Sequence, residues 1–510
     1  MKILWNSVFN LIINPMNKII LLCVILLFAL GGRSQDSVVR KTTSIDLVFK
    51  QFVQYQGFKP AVCGFYAVDI NSGEVLSSHN IDKSFRPAST QKLVTTAAAL
   101  EVLHPDYRFT TYLAYTGKII DSINYLKGNL IIIGGGDPSL GSKYFDSRAK
   151  KQFLKDFVAA VKKAGIDSMS GGVIGDAQIY SHDIVPPSWS WQNMGNYFGA
   201  GACGLSIYDN YFNVVFKTEN YGDPAMITSY QPHIPSLYFD NEVVADSIFY
   251  DNVNIYGAPY DNRRTARGGL PLNRDAFKVK ASMPDPAFFA TLQLDSALRS
   301  ANIIPTKKPN TIRQMREKSQ KVNFNYQNIT SFYSPELKSI IEQTNTHSIN
   351  LFAEHCLVQT GLRLGAQTET SICADSLMAF WHSKGMDIQG MSLNDGSGLS
   401  QYNVVTPRQM VFMLTYMKKQ SPYFDDFYNS LPIGGQTGTL SNMFSGTSAY
   451  GNVHAKSGTI TRVKAYSGYV TSASGREIAF YVVVNNFSCS SKEARIQMQK
   501  LMVALADFKE

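Results

Sequence analysis

"FRPASTQKLVTTAAAL", residues 85–100, joins a serine and a lysine, three residues apart, to an alanine-rich apolar run. The run predicts a buried helix that begins close to Ser89, and the spacing places Ser89 and Lys92 on one face of it. A serine hydroxyl is a poor nucleophile at neutral pH and needs a nearby base. A lysine can be that base when burial or neighbouring charges lower its pKa. The segment predicts a serine nucleophile with a lysine base, although Ser147 and Lys150 repeat the spacing, so the spacing alone is also compatible with an ordinary helix start.

The segment "HAKSGTI", residues 454–460, carries the only Lys-[Ser/Thr]-Gly sequence of the chain. It combines the cation of Lys456 with the hydroxyls of Ser457 and Thr459, and the intervening glycine lets the backbone approach a ligand closely. A cation beside hydroxyl groups suits a substrate carboxylate, so we expect Lys456 to line an open cleft and bind one. The nearby "GGQTGTL", residues 434–440, has a glutamine in place of the cation and is not assigned to the site.

A third motif, "NTHSINLFAEH" at residues 345–355, opens another helical pattern. Its Ser348 offers a hydroxyl that can pass a proton, and its Asn350 offers an amide that can hold a peptide carbonyl. Other Ser-x-Asn sequences begin at Ser122 and Ser392, but only Ser348 lies in a helical region between the other two motifs. The three motifs in this order form the set that characterises penicillin-binding proteins and serine β-lactamases.

The chain resembles the class C low-molecular-mass penicillin-binding proteins, the D-alanyl-D-alanine carboxypeptidase/endopeptidase family, from about residue 45 to 508. The spacing of the motifs is the most telling feature, since 259 residues separate Ser89 from Ser348 and a large insert fills this gap in the family. Further family-like stretches are "GGGDPSL" (134–140), "PPSWSWQNMGNYFGAGACGLSIYDN" (186–210) and "NDGSGLSQYN" (394–403).

The resemblance implies a role for each motif residue. Ser89 would be the acylated nucleophile and Lys92 its base, and Ser348 would relay the proton to the leaving group. Asn350 would bind the substrate amide, and the backbone N–H groups of Ser89 and Thr459 would form the oxyanion hole. The residues that would hold the terminal carboxylate are Lys456, Ser457 and Thr459.

Two positions depart from the family pattern. In relatives, an Asp after the "W-x-W" segment and an Arg after "SGLS" read the charged end of a diaminopimelate side chain, the third residue of the stem peptide. Asn193 and Gln401 stand there in this chain, whereas Phe198 keeps its aromatic type. Both amides can form hydrogen bonds but carry no charge, so we expect a zwitterionic side chain to be held less tightly.

The order of predicted elements indicates an α+β fold, with an antiparallel sheet covered by helices as in the serine β-lactamase/transpeptidase fold. A large β-rich inserted region of one or two domains interrupts it. A helix and a hairpin are predicted at each end of the chain, so both ends should share one sheet. The expected divisions are a signal peptide over 1–34, a catalytic domain over 35–112 and 310–510 with a helical subdomain at about 334–420, and the insert over 113–309.

The segment "MNKIILLCVILLFALGGRSQ" from Met16 has a lysine, a short apolar run and then small residues. This is the pattern of a secretory signal, and the run is short for a membrane-spanning helix. We therefore expect export to the periplasm or cell-wall compartment, with at most peripheral membrane association. Either Met1 or Met16 can be the start.

The net charge of +9 comes from scattered Lys and Arg residues without a long basic run. This favours attraction to a polyanionic cell wall over binding to nucleic acid. The resemblance implies peptidoglycan stem peptides and β-lactam antibiotics as partners, with no cofactor and no metal. Five cysteines follow the signal, and disulfides and buried free thiols are both open.

Three rival functions each need a sequence feature that this chain lacks. A Ser-His-Asp hydrolase would need a G-x-S-x-G elbow, which is absent from the sequence. Glu354 and His355, with His347, lack zinc-site spacing, so we expect them on a helix surface or lining a cleft. "GGGDP" is not followed by Gly-Lys-[Ser/Thr], which favours a tight turn over a phosphate loop. Two alternatives stay open: a non-catalytic wall-binding scaffold of the same fold, and a serine β-lactamase, for which no deacylating Glu is identifiable.

Overall fold

The computed structural model describes residues 42–145 and 152–510. The expected export signal and the pair Ser147 and Lys150 lie outside these residues. Within the described part, no helix has the length and apolar character needed to cross a membrane. The cysteines Cys63, Cys203, Cys356, Cys373 and Cys489 are free thiols.

The first described elements build one side of a central sheet and the helix of the serine motif. In chain order they are helix α1 (Ser44–Val53), strands β1 (Val62–Asp69) and β2 (Val75–His79), and helix α2 (Gln91–Leu103).

A β-rich region follows. Its elements are β3 (Thr110–Tyr115), β4 (Lys118–Ile120), β5 (Tyr125–Lys127), β6 (Leu130–Ile133), α3 (Gln152–Lys163), β7 (Ser168–Met169), β8 (Val173–Asp176), α4 (Trp191–Met194), β9 (Tyr211–Thr218), β10 (Met226–Gln231), β11 (Tyr238–Asp246), β12 (Asn254–Tyr256), β13 (Arg263–Pro271), β14 (Arg274–Ser282), α5 (Pro286–Ser300), β15 (Ile304–Pro305), β16 (Asn310–Thr311), α6 (Ile312–Glu317) and β17 (Gln327–Tyr333).

The chain then returns to helices and closes the central sheet. The elements are α7 (Leu337–His347), α8 (Asn350–Arg363), α9 (Thr370–Ser383), α10 (Pro407–Gln420), α11 (Phe424–Asn429), β18 (His454–Ile460), β19 (Val463–Thr471), β20 (Glu477–Asn485) and α12 (Ser491–Ala506).

The central sheet has five antiparallel strands in the order β18-β19-β20-β1-β2. Its middle strand β20, "EIAFYVVVN", is almost continuously apolar and buried because helices cover both faces of the sheet. One core lies between the sheet and helices that include α2, α8, α9 and α10. A second core lies on the other face, under α1 and α12. The predicted α+β fold with an antiparallel sheet from both chain ends is confirmed.

The β-rich region contains one five-stranded sheet, one four-stranded sheet and two three-stranded sheets. Its five-stranded sheet, in the order β16-β8-β6-β3-β17, includes β3 and β17, which pair with each other in antiparallel register. These two strands carry the chain out of the catalytic part and back into it. We therefore propose that the insert extends from about residue 110 to 333, beyond the expected 113–309.

Candidate active site

Ser89 lies in a 3₁₀ turn, Ala88–Thr90, that leads directly into α2. The preceding residue, Ala88, has a φ of 47°, a conformation that a residue with a side chain seldom adopts. Lys92 lies in the first turn of α2, and its Nζ atom is 3.0 Å from Ser89 Oγ. The expected pair therefore lies within hydrogen-bond distance.

The Lys92 ammonium group is fully buried and donates three hydrogen bonds. The acceptors are Ser89 Oγ at 3.0 Å, Asn350 Oδ1 at 2.7 Å and the carbonyl of Ser397 at 2.7 Å. Burial lowers the pKa of Lys92 to about 7, although the charges of Asp395 and Glu354 act in the opposite direction. The neutral amine is therefore well populated near neutral pH and can accept a proton from Ser89.

Ser348 ends α7 in the left-handed conformation, with φ 59° and ψ 42°. Its Oγ atom accepts a hydrogen bond of 2.8 Å from Lys456 Nζ, which also donates to the carbonyl of Ser457 at 2.8 Å. Lys456 is fully buried, so the expectation that it lines an open cleft was wrong. Its side chain points inward toward Ser348, and burial, reinforced by the charge of Lys92, places the pKa of Lys456 well below its ordinary value.

Strand β18 passes directly against the serine motif. A Cβ atom at Gly458 would lie 2.6 Å from the carbonyl oxygen of Pro87 and 3.0 Å from the backbone nitrogen of Ser89. Only glycine permits this approach. Thr459 follows Gly458 directly, and its backbone N–H is the one expected to form an oxyanion hole with that of Ser89.

Two side chains of β18, those of Ser457 and Thr459, are accessible at the surface of the site. Thr459 is exposed and Ser457 is half-buried. The hydroxyl of Ser457 lies 2.8 Å from that of Thr439. Thr439 belongs to "GGQTGTL", which the sequence had not assigned to the site. That segment contacts the site through its hydroxyl rather than through a cation.

A buried loop that the sequence analysis did not assign to catalysis positions Lys92. Glu354 on α8 accepts hydrogen bonds from the backbone nitrogens of Gly396 at 2.9 Å and Ser397 at 2.8 Å. Asp395 accepts from the backbone nitrogens of Gly398 and Ser400, at 2.7 and 2.6 Å. These contacts fix the Ser397 carbonyl that binds Lys92. Pairs of buried carboxylates around one buried lysine stabilise its charged form.

Glu354 is therefore neither on a helix surface nor in a cleft, and the expectation for it was wrong. Ten of the fourteen residues of α8 are buried, because the helix is packed between α2, α7 and α9. Burial raises the pKa of Glu354 to about 8, and the charge of Asp395 adds to the increase, whereas the hydrogen bonds from Ser397 and Gly396 and the charge of Lys92 lower it. Proton binding at Glu354 and Lys92 is therefore linked.

His355 is also buried, contrary to expectation. Its ring nitrogens lie 2.7 Å from the carbonyl of Gly136 and 2.9 Å from Ser206 Oγ. Burial lowers the pKa of His355 to about 4. Ser206 is 1% exposed and cannot meet a substrate, so this Ser-His contact is structural. The "GGGDP" segment forms a turn, in which Asp137 accepts from the backbone nitrogen of Ser139 at 2.7 Å.

The inserted region contacts Asn350, which is one acceptor of Lys92, and Asp395, which belongs to the loop that carries another acceptor, Ser397. The indole nitrogen of Trp189 donates to Asp395 Oδ2 at 2.8 Å, next to the loop that carries Ser397. The carbonyl of Phe198 accepts a 2.8 Å hydrogen bond from Asn350 Nδ2. Asn350 therefore joins Lys92 on one side of its amide to the insert on the other.

Of the three predicted specificity residues, Phe198 contacts Asn350 and Gln401 contacts Arg86. Asn193, at the end of the short α4, and Phe198 are half-buried, and Gln401 is exposed. Gln401 Oε1 accepts a 3.4 Å hydrogen bond from the guanidinium of Arg86, three residues before the serine. The same guanidinium donates to Asn486 Oδ1 at 2.7 Å. The amide at position 401 therefore lies against a cation that the sequence analysis did not consider.

A family model described as the D-Ala-D-Ala carboxypeptidase 3 (S13) family matches residues 50–507. The D-alanyl-D-alanine carboxypeptidase of Actinomadura sp. (strain R39) is 28% identical over 443 residues, which cover 84% of this chain and 78% of that protein. D-alanyl-D-alanine carboxypeptidase DacB of Haemophilus influenzae is 24% identical over 442 residues, 86% of this chain and 88% of DacB. The crystal structure of penicillin binding protein 4 (dacB) from Haemophilus influenzae shares the fold, with a TM-score of 0.74, 24% identity, and coverage of 89% of this chain and 98% of that one.

Proposed function

Because the chain belongs to the D-Ala-D-Ala carboxypeptidase 3 (S13) family, we propose that Ser89, Lys92, Ser348 and Lys456 carry out its reaction. The family match makes the chain a serine-type D-Ala-D-Ala carboxypeptidase. The observation that carries the residue assignment is the 3.0 Å contact between Ser89 Oγ and a buried lysine with a lowered pKa.

Acylation begins with attack of Ser89 Oγ on the carbonyl carbon between the two D-alanines. The hydroxyl proton passes to the neutral amine of Lys92. The backbone N–H groups of Ser89 and Thr459 stabilise the negative charge on the carbonyl oxygen. The C–N bond then breaks as Ser348 gives its hydroxyl proton to the departing amine. The proton that Lys92 took from Ser89 returns to Ser348, so both residues regain their starting protonation states. Lys456 supports this step because it donates to Ser348 Oγ and leaves the hydroxyl hydrogen free to transfer.

Deacylation returns the enzyme to its starting state. A water molecule attacks the acyl carbon, its proton passes to a base of the site, and the ester bond to Ser89 breaks as Ser89 regains its proton. Release of terminal D-alanine is carboxypeptidase activity. Cleavage of a D-alanyl cross-link of peptidoglycan is the same chemistry with a longer leaving group.

Substrate binding uses the side chains around the reacting atoms. Asn350 has one N–H committed to Phe198, so its second N–H is the group that holds the substrate peptide. Asn193, Phe198 and Gln401 contact the third residue of the stem peptide. The terminal carboxylate is held by Lys456, Ser457 and Thr459.

The same geometry suits β-lactam antibiotics, which present a strained amide beside a carboxylate. We propose that they acylate Ser89 and that the protein acts on peptidoglycan stem peptides after export to the periplasm or cell-wall compartment. The net charge of +9 supports peripheral attraction to a polyanionic wall.

Neither open alternative is favoured by an observation. A wall-binding scaffold would not need a buried lysine with its ammonium group on Ser89 Oγ. A β-lactamase needs a group that activates water for fast deacylation. The oxygens of Glu354 are instead both committed to backbone N–H groups.

The direct test of the residue assignment is release of D-alanine from a peptide that ends in D-Ala-D-Ala. Ser89→Ala should abolish release of D-alanine, because the acyl-enzyme cannot form, and Lys92→Met should lower kcat/KM by about 10²–10⁴-fold, the usual contribution of a general base. Lys83→Met removes an exposed lysine of the same segment and should leave kcat/KM unchanged. Retained activity in Lys92→Met would contradict the role of Lys92. Digestion of purified wall fragments of defined composition would measure the balance between carboxypeptidase and endopeptidase products.

A further inference from the structure

Lys464 on β19 is a buried lysine that the mechanism above does not use. It is 7% exposed, and its ammonium group donates to Thr459 Oγ1 and to Ser491 Oγ, each at 3.0 Å. In the described part of the chain, no carboxylate forms an ion pair with it. A buried ammonium group without an acidic partner is costly, so its position calls for a physical explanation.

A second cation increases that cost. Arg495 lies one turn after Ser491 on α12, and its positive charge faces Lys464. Burial, together with the charge of Arg495, lowers the pKa of Lys464 to about 8. The Nε atom of Arg495 is itself buried without a hydrogen-bond partner. Two cations that face each other without an acid between them create a local positive potential, which binding of an anion would neutralise.

The position of Lys464 indicates where that anion binds. Thr459 and Lys464 are direct cross-strand partners in the β18–β19 hairpin. Because Lys464 donates to Thr459 Oγ1, the hydroxyl hydrogen of Thr459 is free to point away from the sheet toward an acceptor. Thr459 is exposed beside Gly458, whose backbone contacts the serine motif. An acceptor that meets this hydroxyl therefore lies one residue from the strand position that contacts the serine motif.

Lys456 cannot supply this charge alone. Its ammonium group is fully buried and already donates to Ser348 Oγ and to the carbonyl of Ser457. Burial also lowers the pKa of Lys456, and the charge of Lys92 acts in the same direction. A second source of positive potential near Thr459 compensates for both effects.

We propose that Lys464 is a positioning residue that directs the Thr459 hydroxyl toward a free carboxylate on the substrate and, with Arg495, supplies the potential that selects an anionic end. This inference rests on the proposed function, because it places the carboxylate of a D-alanyl terminus, or of a β-lactam, at Thr459. Lys464 acts through Thr459 and takes no part in bond making.

The test compares acylation of Ser89 by benzylpenicillin, which has a free carboxylate, with acylation by its methyl ester, which lacks the charge. Second-order rate constants would be measured by intact-protein mass spectrometry for the full chain and two variants. Lys464→Met should reduce the preference for the acid over the ester by about tenfold, as expected for loss of a charge-assisted contact. The rate with the ester should stay within about twofold of its original value.

Lys492→Met is the matched control, since Lys492 is an exposed lysine on α12 and follows Ser491, the residue that accepts a hydrogen bond from Lys464. It should keep the original preference. An unchanged preference in Lys464→Met would overturn the inference, and so would equal losses for acid and ester, because a merely structural lysine would affect both. Acylation of the unchanged protein by neither compound would instead contradict the proposed function.

Protein stability gives an independent readout. Removal of an uncompensated buried charge should leave the ligand-free Tm of Lys464→Met equal to or above that of the original protein. Lys464→Gln, which keeps a hydrogen-bond donor for Thr459 without the charge, should fold as well and show an intermediate preference. If both variants have a lower Tm than the original protein, Lys464 has a structural role and the inference is wrong.

Discussion

Lys92 Nζ and Ser89 Oγ lie 3.0 Å apart, with the ammonium group otherwise enclosed by Asn350 Oδ1 and the Ser397 carbonyl. The three acceptors hold the lysine in one geometry, and burial places its pKa at about 7. The base is therefore both aligned with the nucleophile and able to lose its proton near neutral pH. The remaining features of the site support this pair.

The rate of acylation by a β-lactam should depend on the proton of Lys92. Only the neutral amine can accept the Ser89 proton, so the rate should be highest above pH 7 and should decrease as the pH falls through about 7. The charged groups around Lys92 are Glu354 from α8, Asp395 from the loop and Lys456 from β18. A rate that is flat between about pH 5.5 and 8.5 would exclude Lys92 as the base.

Lys92→Arg is the control for this profile. It keeps the positive charge, but a guanidinium group does not lose its proton in this range. Acylation should be nearly abolished at every pH. A variant that retained the original pH profile would show that another group titrates.

Trp189→Phe should weaken the loop that holds Lys92. The change removes the indole N–H that donates to Asp395 and keeps an aromatic ring in place. Loss of a hydrogen bond to a carboxylate costs about 1.5–3 kcal/mol, so the free energy of unfolding should fall by this order and the acylation rate should fall with it. Trp191→Phe, at an indole that is 55% exposed, should change neither quantity. Equal behaviour of the two variants would mean that the insert does not support the site.

The local part of the site could be predicted from the sequence, and the distant part could not. Ser89 and Lys92 were found because a spacing of three residues on a helix fixes their proximity. Ser348 and Lys456 were found because their motifs occur in a known order. Trp189 and Asp395 are separated by 206 residues, and only the folded chain brings them together.

Burial was the other quantity that the sequence did not reveal. Glu354 and Lys456 are charged residues in polar motifs, which suggested accessible positions. In the structure both are buried because each has partners that satisfy it, backbone N–H groups for Glu354 and Ser348 for Lys456. The sequence signal for the contact between Trp189 and Asp395 was the family resemblance of the stretches "PPSWSW" and "NDGSGLS", which contain these two residues.

Lys456→Ala should impair substrates with a free terminal carboxylate. Loss of the Lys456 charge and of its hydrogen bond to Ser348 Oγ should cost about 1.5–3 kcal/mol in transition-state binding, or about a tenfold to a hundredfold lower kcat/KM on a D-Ala-D-Ala peptide. Because Lys456 is fully buried, this variant should also lower the Tm. Lys456→Met fills the space without the charge and should lose activity with a smaller change in Tm. Unchanged kcat/KM in both variants would mean that another cation holds the carboxylate.

Asn193 and Gln401 should set tolerance toward the third residue of the stem peptide. With two amides, kcat/KM should differ little between peptides with free and amidated diaminopimelate. Asn193→Asp combined with Gln401→Arg should create a preference for the zwitterionic peptide. Arg86→Gln is the accompanying control, since Arg86 already donates to Gln401. If the double variant shows no new preference, these two side chains do not contact that part of the substrate.

The most direct test of the central claim is identification of the residue that penicillin acylates. Labelled benzylpenicillin would be bound to the full chain, the protein digested, and the modified peptide sequenced by mass spectrometry. The account predicts a label on Ser89 within "FRPASTQK" and no label in Ser89→Ala, whereas Ser147→Ala should be labelled normally. A label on Ser147 or Ser348, or full labelling of Ser89→Ala, would contradict the account.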